Sequence, residues 1–367
     1  MAVETQAARK DWWRAGPRAA STGVSDQLLL CLQVSRPGLW LVTIWVYLLP
    51  TGGPNMLVWR DSAFWVGLFH CTMPLNLLVY WWNDLGDFST DATNPRKGGK
   101  WLGARASGAA LGALRTLVLG AQVPFALYYA AHPRLGPAWT VGWFGAVCAV
   151  NFAYNCEPIK LSSKNPPFDF IGPLGYLLVI PLAERLTGVP ALPAIGWVHT
   201  VLLIFRTQLW TEIMDAPHDH AGGRVTTVLS LAARGGGLWA PRLVLLLVLA
   251  LEFLFVALFV GDVPLTAFAA LSMGRCAHEW LAERRAVAAR DVRAAAQEHG
   301  RGRGQHKGRT GEQSIETLVA ADIVAGGSYA SGIEMNTTII LGVSGIALLC
   351  HVWLSGVLSG IPLQRSA

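Results

Sequence analysis

Apolar residues occur along the chain in runs of about 20, and short polar stretches separate these runs. A run of this length is what an α-helix needs to cross the hydrocarbon core of a bilayer. The pattern therefore predicts an all-α, polytopic membrane protein. We predict about nine transmembrane helices, at residues 26–50, 62–83, 108–130, 137–156, 170–188, 192–215, 238–260, 263–280 and 336–358.

The composition agrees with this fold class. Of the 367 residues, 53% are hydrophobic and only 14% are charged, which is typical of polytopic membrane proteins. The six cysteines lie singly in or beside apolar runs, so neither a disulfide framework nor a zinc site is indicated. The formal net charge of +6 could favour nucleic acid, but the basic residues fall in loops between apolar runs. We therefore expect the lipid bilayer as a partner, no nucleic acid and no obligate protein partner.

The distribution of basic residues predicts the orientation. Most of the 29 Lys and Arg residues lie in the N-terminal segment and in the loops after helices 2, 4, 6 and 8, and loops rich in Lys and Arg face the cytoplasm. The predicted organisation is a polar N-terminal segment (1–25), eight helices with the candidate motifs (26–280), a basic cytoplasmic loop (281–335) and a ninth helix with the C-terminus (336–367).

Two acidic stretches follow apolar runs on this predicted cytoplasmic side, at residues 83–91 and 212–219. Charge at the end of a membrane helix is costly, so its presence requires a reason. If each helix continues through its acidic stretch, the carboxylates recur every three to four residues and share one helical face. Two such clusters would repel each other unless a cation lay between them, and Mg²⁺ takes oxygen ligands while leaving positions open for phosphate.

Basic and polar residues accompany the carboxylates. The first stretch is followed by the loop Arg96-Lys97-Gly98-Gly99-Lys100, and the fourth predicted helix ends in Tyr154-Asn155 and Lys160, followed by Lys164. A basic, glycine-containing loop beside an acidic cluster suits a polyanionic ligand, although a positive-inside loop has the same composition. His218 and His220 could indicate a transition-metal site, but we favour oxygen ligands because the first cluster has neither His nor Cys.

Three motifs recur at the predicted cytoplasmic ends of the helices. The first is Asn83-Asp84-x-x-Asp87-x-x-x-Asp91, the second is Asp215-x-x-x-Asp219-x-x-x-Gly223-Arg224-x-Thr226, and the loop after the fourth predicted helix contains Tyr154-Asn155-x-x-Pro158-x-Lys160. Together, these motifs resemble those of the UbiA superfamily of intramembrane prenyltransferases. The resemblance covers roughly residues 35–280 and the last helix. It implies a helical bundle around a central cavity, a prenyl diphosphate donor, Mg²⁺ and a lipophilic acceptor that is aromatic in many members. The loop after Asp91 and the Arg-rich insert before helix 9 depart from the family pattern.

The resemblance and the chemistry together give a set of expected roles. The expected metal ligands are Asp84, Asp87, Asp91, Asp215 and Asp219. Expected catalytic residues are Asp84, Asp87, Asp215, Asp219, Lys160 and Tyr154. Residues expected to bind substrate are Asn83, Arg36, Arg96, Lys97, Asn155, Lys164 and Arg224. The active site is expected on the cytoplasmic face, where Mg²⁺ and the basic groups stabilise the departing diphosphate.

Two other functions are compatible with parts of this pattern. A UbiA-type terpene cyclase ionises the same donor but lets the prenyl chain attack itself. An ion-coupled transporter also uses intramembrane carboxylates, but its carboxylates are expected near the midplane and not at one membrane face. We therefore expect a transferase that alkylates a lipophilic, aromatic acceptor of a quinone, tocopherol or chlorophyll type.

Overall fold

A computed structural model describes residues 23–91, 97–98, 103–163, 166–235, 237–301, 348–356 and 358. Every regular element in these ranges is helical, which confirms the all-α prediction. The α-helices are α1 (Val24–Val34), α2 (Trp40–Leu48), α3 (Ser62–His70), α4 (Met73–Asp91), α5 (Gly108–Ala113), α6 (Arg115–Gly120), α7 (Val123–Ala131), α8 (Gly136–Asn155), α9 (Ile171–Leu174), α10 (Val179–Thr187), α11 (Ala194–Ala221), α12 (Thr227–Gly235), α13 (Trp239–Phe255), α14 (Val263–Arg301) and α15 (348–355).

Short helical turns of other types join several of these helices. The 3₁₀ segments are Pro37–Leu39, Leu49–Thr51, Gly53–Arg60, Leu161–Ser163, Phe168–Phe170 and Gly175–Leu178, and a π-helical turn covers Val256–Val260. The predicted fifth membrane helix is thus an alternation of 3₁₀ and α segments. Its two prolines, Pro173 and Pro181, explain why a straight helix does not form there.

Five segments among the described residues are long and apolar enough to cross a membrane. These are Val24–Thr51, Ser62–Phe88, Gly108–Ala131, Phe168–Thr187 and Trp239–Val260. Three further predicted spans coincide with the long helices α8, α11 and the first part of α14, and most of the ninth lies outside the described residues. The protein is therefore an integral membrane protein, while the number nine stays a prediction.

The described residues divide into two compact units. Unit 1 contains those within Met1–Ser162, Ile171–Trp197 and Leu349–Ala367, and unit 2 contains those within Ser163–Phe170 and Val198–Leu348. The first acidic stretch belongs to unit 1 and the second to unit 2. The core of unit 2 includes Leu209, Ile213 and Ala216 from one face of α11.

Two sequence predictions about helix ends have clear outcomes. Helix α4 continues through the first acidic stretch as far as Asp91, as the motif spacing required. Residues 281–298, which belong to the predicted basic loop, are helical and continue the eighth predicted span as one helix, α14. The reason is that no glycine or proline interrupts the sequence between residues 275 and 298.

A buried polar network joins helices α3 and α7 in unit 1. His70 is fully buried, and its two ring nitrogens lie 2.9 Å from the Tyr129 hydroxyl and 3.0 Å from Gln122 Oε1. The Gln122 amide nitrogen in turn donates to the Pro74 carbonyl over 2.8 Å. Both ring nitrogens of His70 are thus satisfied, as buried polar groups require.

Gly86 allows α4 to approach the end of α8 closely. A Cβ added to Gly86 would lie 2.7 Å from the backbone oxygen of Asn155. That separation is shorter than any ordinary carbon–oxygen contact, so one of the two helices would have to move. This close approach places Asn155, and the loop that contains Lys160, beside the first acidic stretch.

We expect Gly86→Ala to destabilise the protein by about 1–3 kcal/mol, because an added methyl group in a packed contact forces the backbone apart. Gly112→Ala in α5 is the matched control, since nothing lies within 4 Å of a Cβ there. The control should be neutral or slightly stabilising, because alanine favours helix more than glycine does. Thermal unfolding in detergent measures both; equal melting temperatures would show that the contact at Gly86 is not needed.

Candidate active site

Asp84 is the centre of a buried charge cluster in unit 1. Its side chain is almost completely buried on α4, and its Oδ1 atom accepts hydrogen bonds from Arg36 Nη2 and from Lys97 Nζ, the latter at 2.6 Å. Its Oδ2 atom is also buried and has no hydrogen-bond partner among the described residues. One carboxylate oxygen is therefore shared by two cations, while the other forms no hydrogen bond with a described residue.

Asp87 lies about one turn further along α4 and is also buried. Its Oδ1 atom is 3.2 Å from Lys160 Nζ, which also donates to the Gly86 carbonyl over 2.8 Å. Lys160 belongs to the loop that follows α8, so the motif after that helix delivers its cation directly to the first acidic motif. The sequence predicted both residues, and the structure brings them together.

Asn83 and Asn155 connect the two motifs by a second contact. Asn83 Oδ1 accepts from Arg36 Nη2 over 2.6 Å, and Asn83 Nδ2 donates to Asn155 Oδ1 over 3.3 Å. Asn155 is held in turn by a hydrogen bond from its Nδ2 to the Asn151 carbonyl on α8. These neutral amides orient the charged groups without adding charge of their own.

Aromatic rings lie next to the cations. The Arg36 guanidinium lies 4.4 Å from the centre of the Tyr80 ring, and the Tyr80 hydroxyl is 2.7 Å from that of Tyr176. Tyr154 packs on Gly172, where an added Cβ would lie 2.5 Å from the Tyr154 ring. The Tyr80 and Tyr176 hydroxyl groups therefore form a polar pair near the charge cluster.

Two of the basic residues have an unusual backbone. Arg36 and Lys160 have φ angles of 50° and 36°, and they are the only residues other than glycine with positive φ in the part of the chain that the structure describes. This region is unfavourable for residues with a Cβ, by about 1–3 kcal/mol each. Such conformations are concentrated at functional sites. Both residues were predicted to contact diphosphate, so the backbone observation is independent support for a functional role.

The second acidic stretch lies at the end of α11 in unit 2. Gly223 adopts a left-handed conformation with φ of 68° and ends the helix. The chain then turns back, so that the Arg224 amide donates to the Asp219 carbonyl over 2.9 Å. Asp219 is buried, and its Oδ1 is 3.1 Å from Arg224 Nη1. Asp215 lies one turn earlier on the same helix and is half-buried.

A polar layer supports this helix end. Glu212 is buried, with Oε1 accepting from Gln208 Nε2 over 2.7 Å and Oε2 accepting from the Val228 amide over 3.3 Å. Asp169 accepts from the backbone amide and the hydroxyl of Thr227, over 2.5 and 2.6 Å, at the start of α12. Sequence reasoning did not assign Asp169; the signal was a lone carboxylate at the start of an apolar run.

Some predicted site residues cannot be compared with the structure. Arg96 and Lys164 lie outside the described residues, as does the side chain of Asp91, whose backbone ends α4. Among the side chains that are described, no group of three or more His, Cys, Asp or Glu residues is arranged to hold a metal ion. The ligand set proposed from the sequence therefore remains a prediction.

No protein-family model matches the chain. The lycopene elongase/hydratase of Halobacterium salinarum is 30% identical over 210 residues, which cover 54% of this chain and 70% of that protein. The chain belongs to the UbiA superfamily of intramembrane prenyltransferases. It is accordingly a prenyltransferase enzyme, as the three motifs predicted.

Two further similar proteins differ in how much of this chain they cover. The C(50) beta-cyclic carotenoids biosynthesis protein LbtBC of Dietzia sp. is 31% identical over 218 residues, 54% of this chain and 45% of that protein. A solved UbiA homolog from Archaeoglobus fulgidus bound to GPP and Mg²⁺ is 14% identical, with a TM-score of 0.42 over 87% of this chain and 99% of that one.

Proposed function

We propose that the protein transfers a prenyl group from a Mg²⁺-bound prenyl diphosphate to a long, acyclic carotenoid polyene. The observation that supports the site is the pairing of Asp84 and Asp87, buried near the end of a membrane span, with Arg36, Lys97 and Lys160. Such a set of oxygen ligands and cations suits a metal-bound diphosphate. The names of the carotenoid-pathway relatives support the acceptor class.

Carboxylate oxygens are the ligands that Mg²⁺ prefers, and both acidic motifs contain them. Asp84 has a buried Oδ2 oxygen without a hydrogen-bond partner among the described residues, and we propose Asp87, Asp215 and Asp219 as further ligands. Asp91 is the fifth proposed ligand. When bound, Mg²⁺ neutralises charge that develops on the diphosphate as the carbon–oxygen bond breaks. A hard cation with oxygen ligands is the expected partner of such groups.

The basic residues bind and orient the diphosphate in this proposal. Lys97 and Lys160 are compact point charges held by Asp84 and Asp87, and Arg224 is held by Asp219. Arg36 adds a planar group fixed by Asn83 and by the face of Tyr80. Because these groups are already positioned, little reorganisation is needed when negative charge develops. Arg96 and Lys164 are proposed to add further phosphate contacts.

The aromatic residues protect the allylic cation that remains after ionisation. The π face of Tyr154 can stabilise this cation, and Tyr80 and Tyr176 add apolar surface that excludes water. The acceptor double bond then forms a carbon–carbon bond to the allylic carbon. Loss of a proton from the resulting cation restores neutrality, so the products are the extended polyene, diphosphate and one proton.

The acceptor is the point at which the proposal differs from the expectation based on motifs alone. The motifs favoured an aromatic acceptor, and such an acceptor is attacked by the same allylic cation. The carotenoid relatives are the reason to propose a polyene here. A terpene cyclase remains a second outcome of the assay, since it needs the same ionising site but no acceptor.

The test uses the full-length protein in liposomes with Mg²⁺ and labelled dimethylallyl or geranyl diphosphate. Lycopene, a hydroxylated benzoate or no acceptor is supplied in parallel. We expect label in a longer polyene only with lycopene. Label in the aromatic compound would show that the acceptor is aromatic and not a polyene. Formation of a cyclic hydrocarbon or alcohol without any acceptor would identify a cyclase. No diphosphate release in any arm would contradict the proposal as a whole.

We also propose that the site faces the cytoplasm, because the basic loops beside it follow the positive-inside rule. In a background without the native cysteines, we expect Arg105→Cys to react with a membrane-impermeant thiol reagent only after permeabilisation. Arg60 is also exposed, but it lies between predicted helices 1 and 2, on the opposite side of the membrane. Arg60→Cys should therefore react in intact cells. The opposite labelling pattern would place the site on the other side of the membrane.

A further inference from the structure

A second buried polar cluster in unit 2 is not used by the mechanism above. It consists of His199 and Arg206 on α11 and Glu252 on α13, and His199 and Glu252 are each at least 98% buried. Arg206 Nη1 donates to both carboxylate oxygens of Glu252, over 3.0 and 2.9 Å. Ionisable residues inside a membrane bundle are costly and commonly mark functional positions.

His199 lacks the partners that a buried imidazole requires. Neither ring nitrogen has a hydrogen bond to another described residue, and Nε2 lies 3.7 Å from Glu252 Oε1, beyond hydrogen-bond length. A neutral imidazole carries one donor and one acceptor. An oxygen atom to one side of the line from Nε2 to Oε1 could contact both atoms at hydrogen-bond distance, provided that it accepts from the ring and donates to the carboxylate. A hydroxyl group does both.

The surroundings favour a neutral, lipophilic ligand. The Arg206–Glu252 pair is internally neutral, so the cluster offers no net charge to an ion. Glu252 lies within the most apolar of the candidate spans, Trp239–Val260, and the Arg206 guanidinium lies 5.6 Å from the centre of the Phe268 ring. Buried sites of this kind discriminate strongly for a hydroxyl group, because a ligand without one leaves polar groups unpaired.

The position of the cluster limits the shape of the ligand. His199 and Asp219 are 20 residues apart on α11, which corresponds to about 30 Å along a helix and is comparable to the thickness of the hydrocarbon core. A ligand that reaches both positions must span most of the bilayer. The hydroxyl group would therefore lie at the end of the ligand remote from the diphosphate.

We propose that His199, positioned beside the Arg206–Glu252 pair, binds a terminal hydroxyl group of the long polyene. This inference rests on the proposed function for the identity of the ligand, but the site itself requires no prenyl transfer. In chemical terms, the protein would favour a polyene whose far end is already hydroxylated over the parent hydrocarbon.

The experiment measures equilibrium binding without any prenyl diphosphate, so that it remains informative if the transfer assay fails. Full-length protein in nanodiscs is titrated with lycopene and with a derivative of equal length that carries one terminal tertiary hydroxyl group. The two affinities are compared for the unmodified protein, His199→Leu, His199→Gln and Val198→Ala. Val198 precedes His199 on the same helix and is 44% exposed, which makes it the control.

We expect the unmodified protein and Val198→Ala to bind the hydroxylated polyene about 10- to 100-fold more tightly, as expected from the cost of unpaired buried polar groups. His199→Leu should bring the ratio close to one, and His199→Gln should restore part of it because an amide also donates and accepts. A ratio near one in the unmodified protein would overturn the proposal and leave a bound water as the partner of His199. An unchanged ratio in His199→Leu would also overturn it, because the hydroxyl would be recognised elsewhere.

Discussion

Replacing Asp84, Asp87, Asp215 or Asp219 by asparagine is expected to lower the rate of prenyl transfer by a factor of roughly 10² to 10³. An amide keeps the size of the carboxylate and one acceptor oxygen but removes its charge. The proposed Mg²⁺ site would lose a ligand, and the diphosphate would be less well neutralised as the carbon–oxygen bond breaks. The measurement is the initial rate per folded molecule, with saturating Mg²⁺ and labelled donor.

The four substitutions should differ in their effect on stability. Asp84 neutralises both Arg36 and Lys97, so its replacement leaves two buried cations with less compensation and should lower the melting temperature. Asp219 is paired with Arg224, so a smaller loss is expected there. Asp26→Asn, at an exposed carboxylate on α1, should change neither rate nor stability. Near-normal turnover in variants of both motifs would show that the acidic helix ends are structural.

Arg36→Lys is expected to reduce transfer about tenfold, and Arg36→Met about 100-fold or more. Lysine keeps the charge but cannot provide the planar group that contacts Asn83, Asp84 and the face of Tyr80 together. Methionine removes the charge as well. All three residues carry a Cβ, so the cost of the left-handed backbone at this position is similar in each protein.

The control for Arg36 is Arg60→Lys. Arg60 also lies over an aromatic ring, 5.9 Å from the centre of Trp59, but it is exposed and belongs to no acidic cluster. Its replacement should leave turnover unchanged. An equal loss of transfer rate in Arg36→Lys and Arg36→Met would show that the site requires the geometry of the guanidinium and not its charge. An unchanged rate in both variants would show that Arg36 does not contribute to transfer.

The positions of the acidic motifs were predictable because they depend on helical periodicity. A helix that continues to Asp91 necessarily places Asp84 and Asp87 on neighbouring positions of one face. The partner of Asp87 was predictable in kind, since the loop after α8 contains Lys160. The sequence could not show that Arg36, 48 residues before Asp84, would contact the same oxygen as Lys97, because that contact depends on how α1 packs against α4.

The cluster at His199 shows a different limit of sequence reasoning. Arg206 was visible as a charge in an apolar helix, but its partner is on another helix 46 residues away. Glu252 is the only charged residue between Arg242 and Asp262, and that isolation was the available signal. Periodicity within one helix cannot identify a partner on another, so the pair emerges only from tertiary structure.

The buried network of His70, Gln122 and Tyr129 has a consequence for the biogenesis of the protein. Lipid surrounds apolar side chains as favourably as another helix does, so apolar contacts alone fix the alignment of two inserted helices only weakly. The network joins two consecutive spans through polar contacts that are satisfied within this pair. The second and third spans can therefore associate as a hairpin in a defined register as soon as both have entered the bilayer, while the ribosome is still synthesising the later helices.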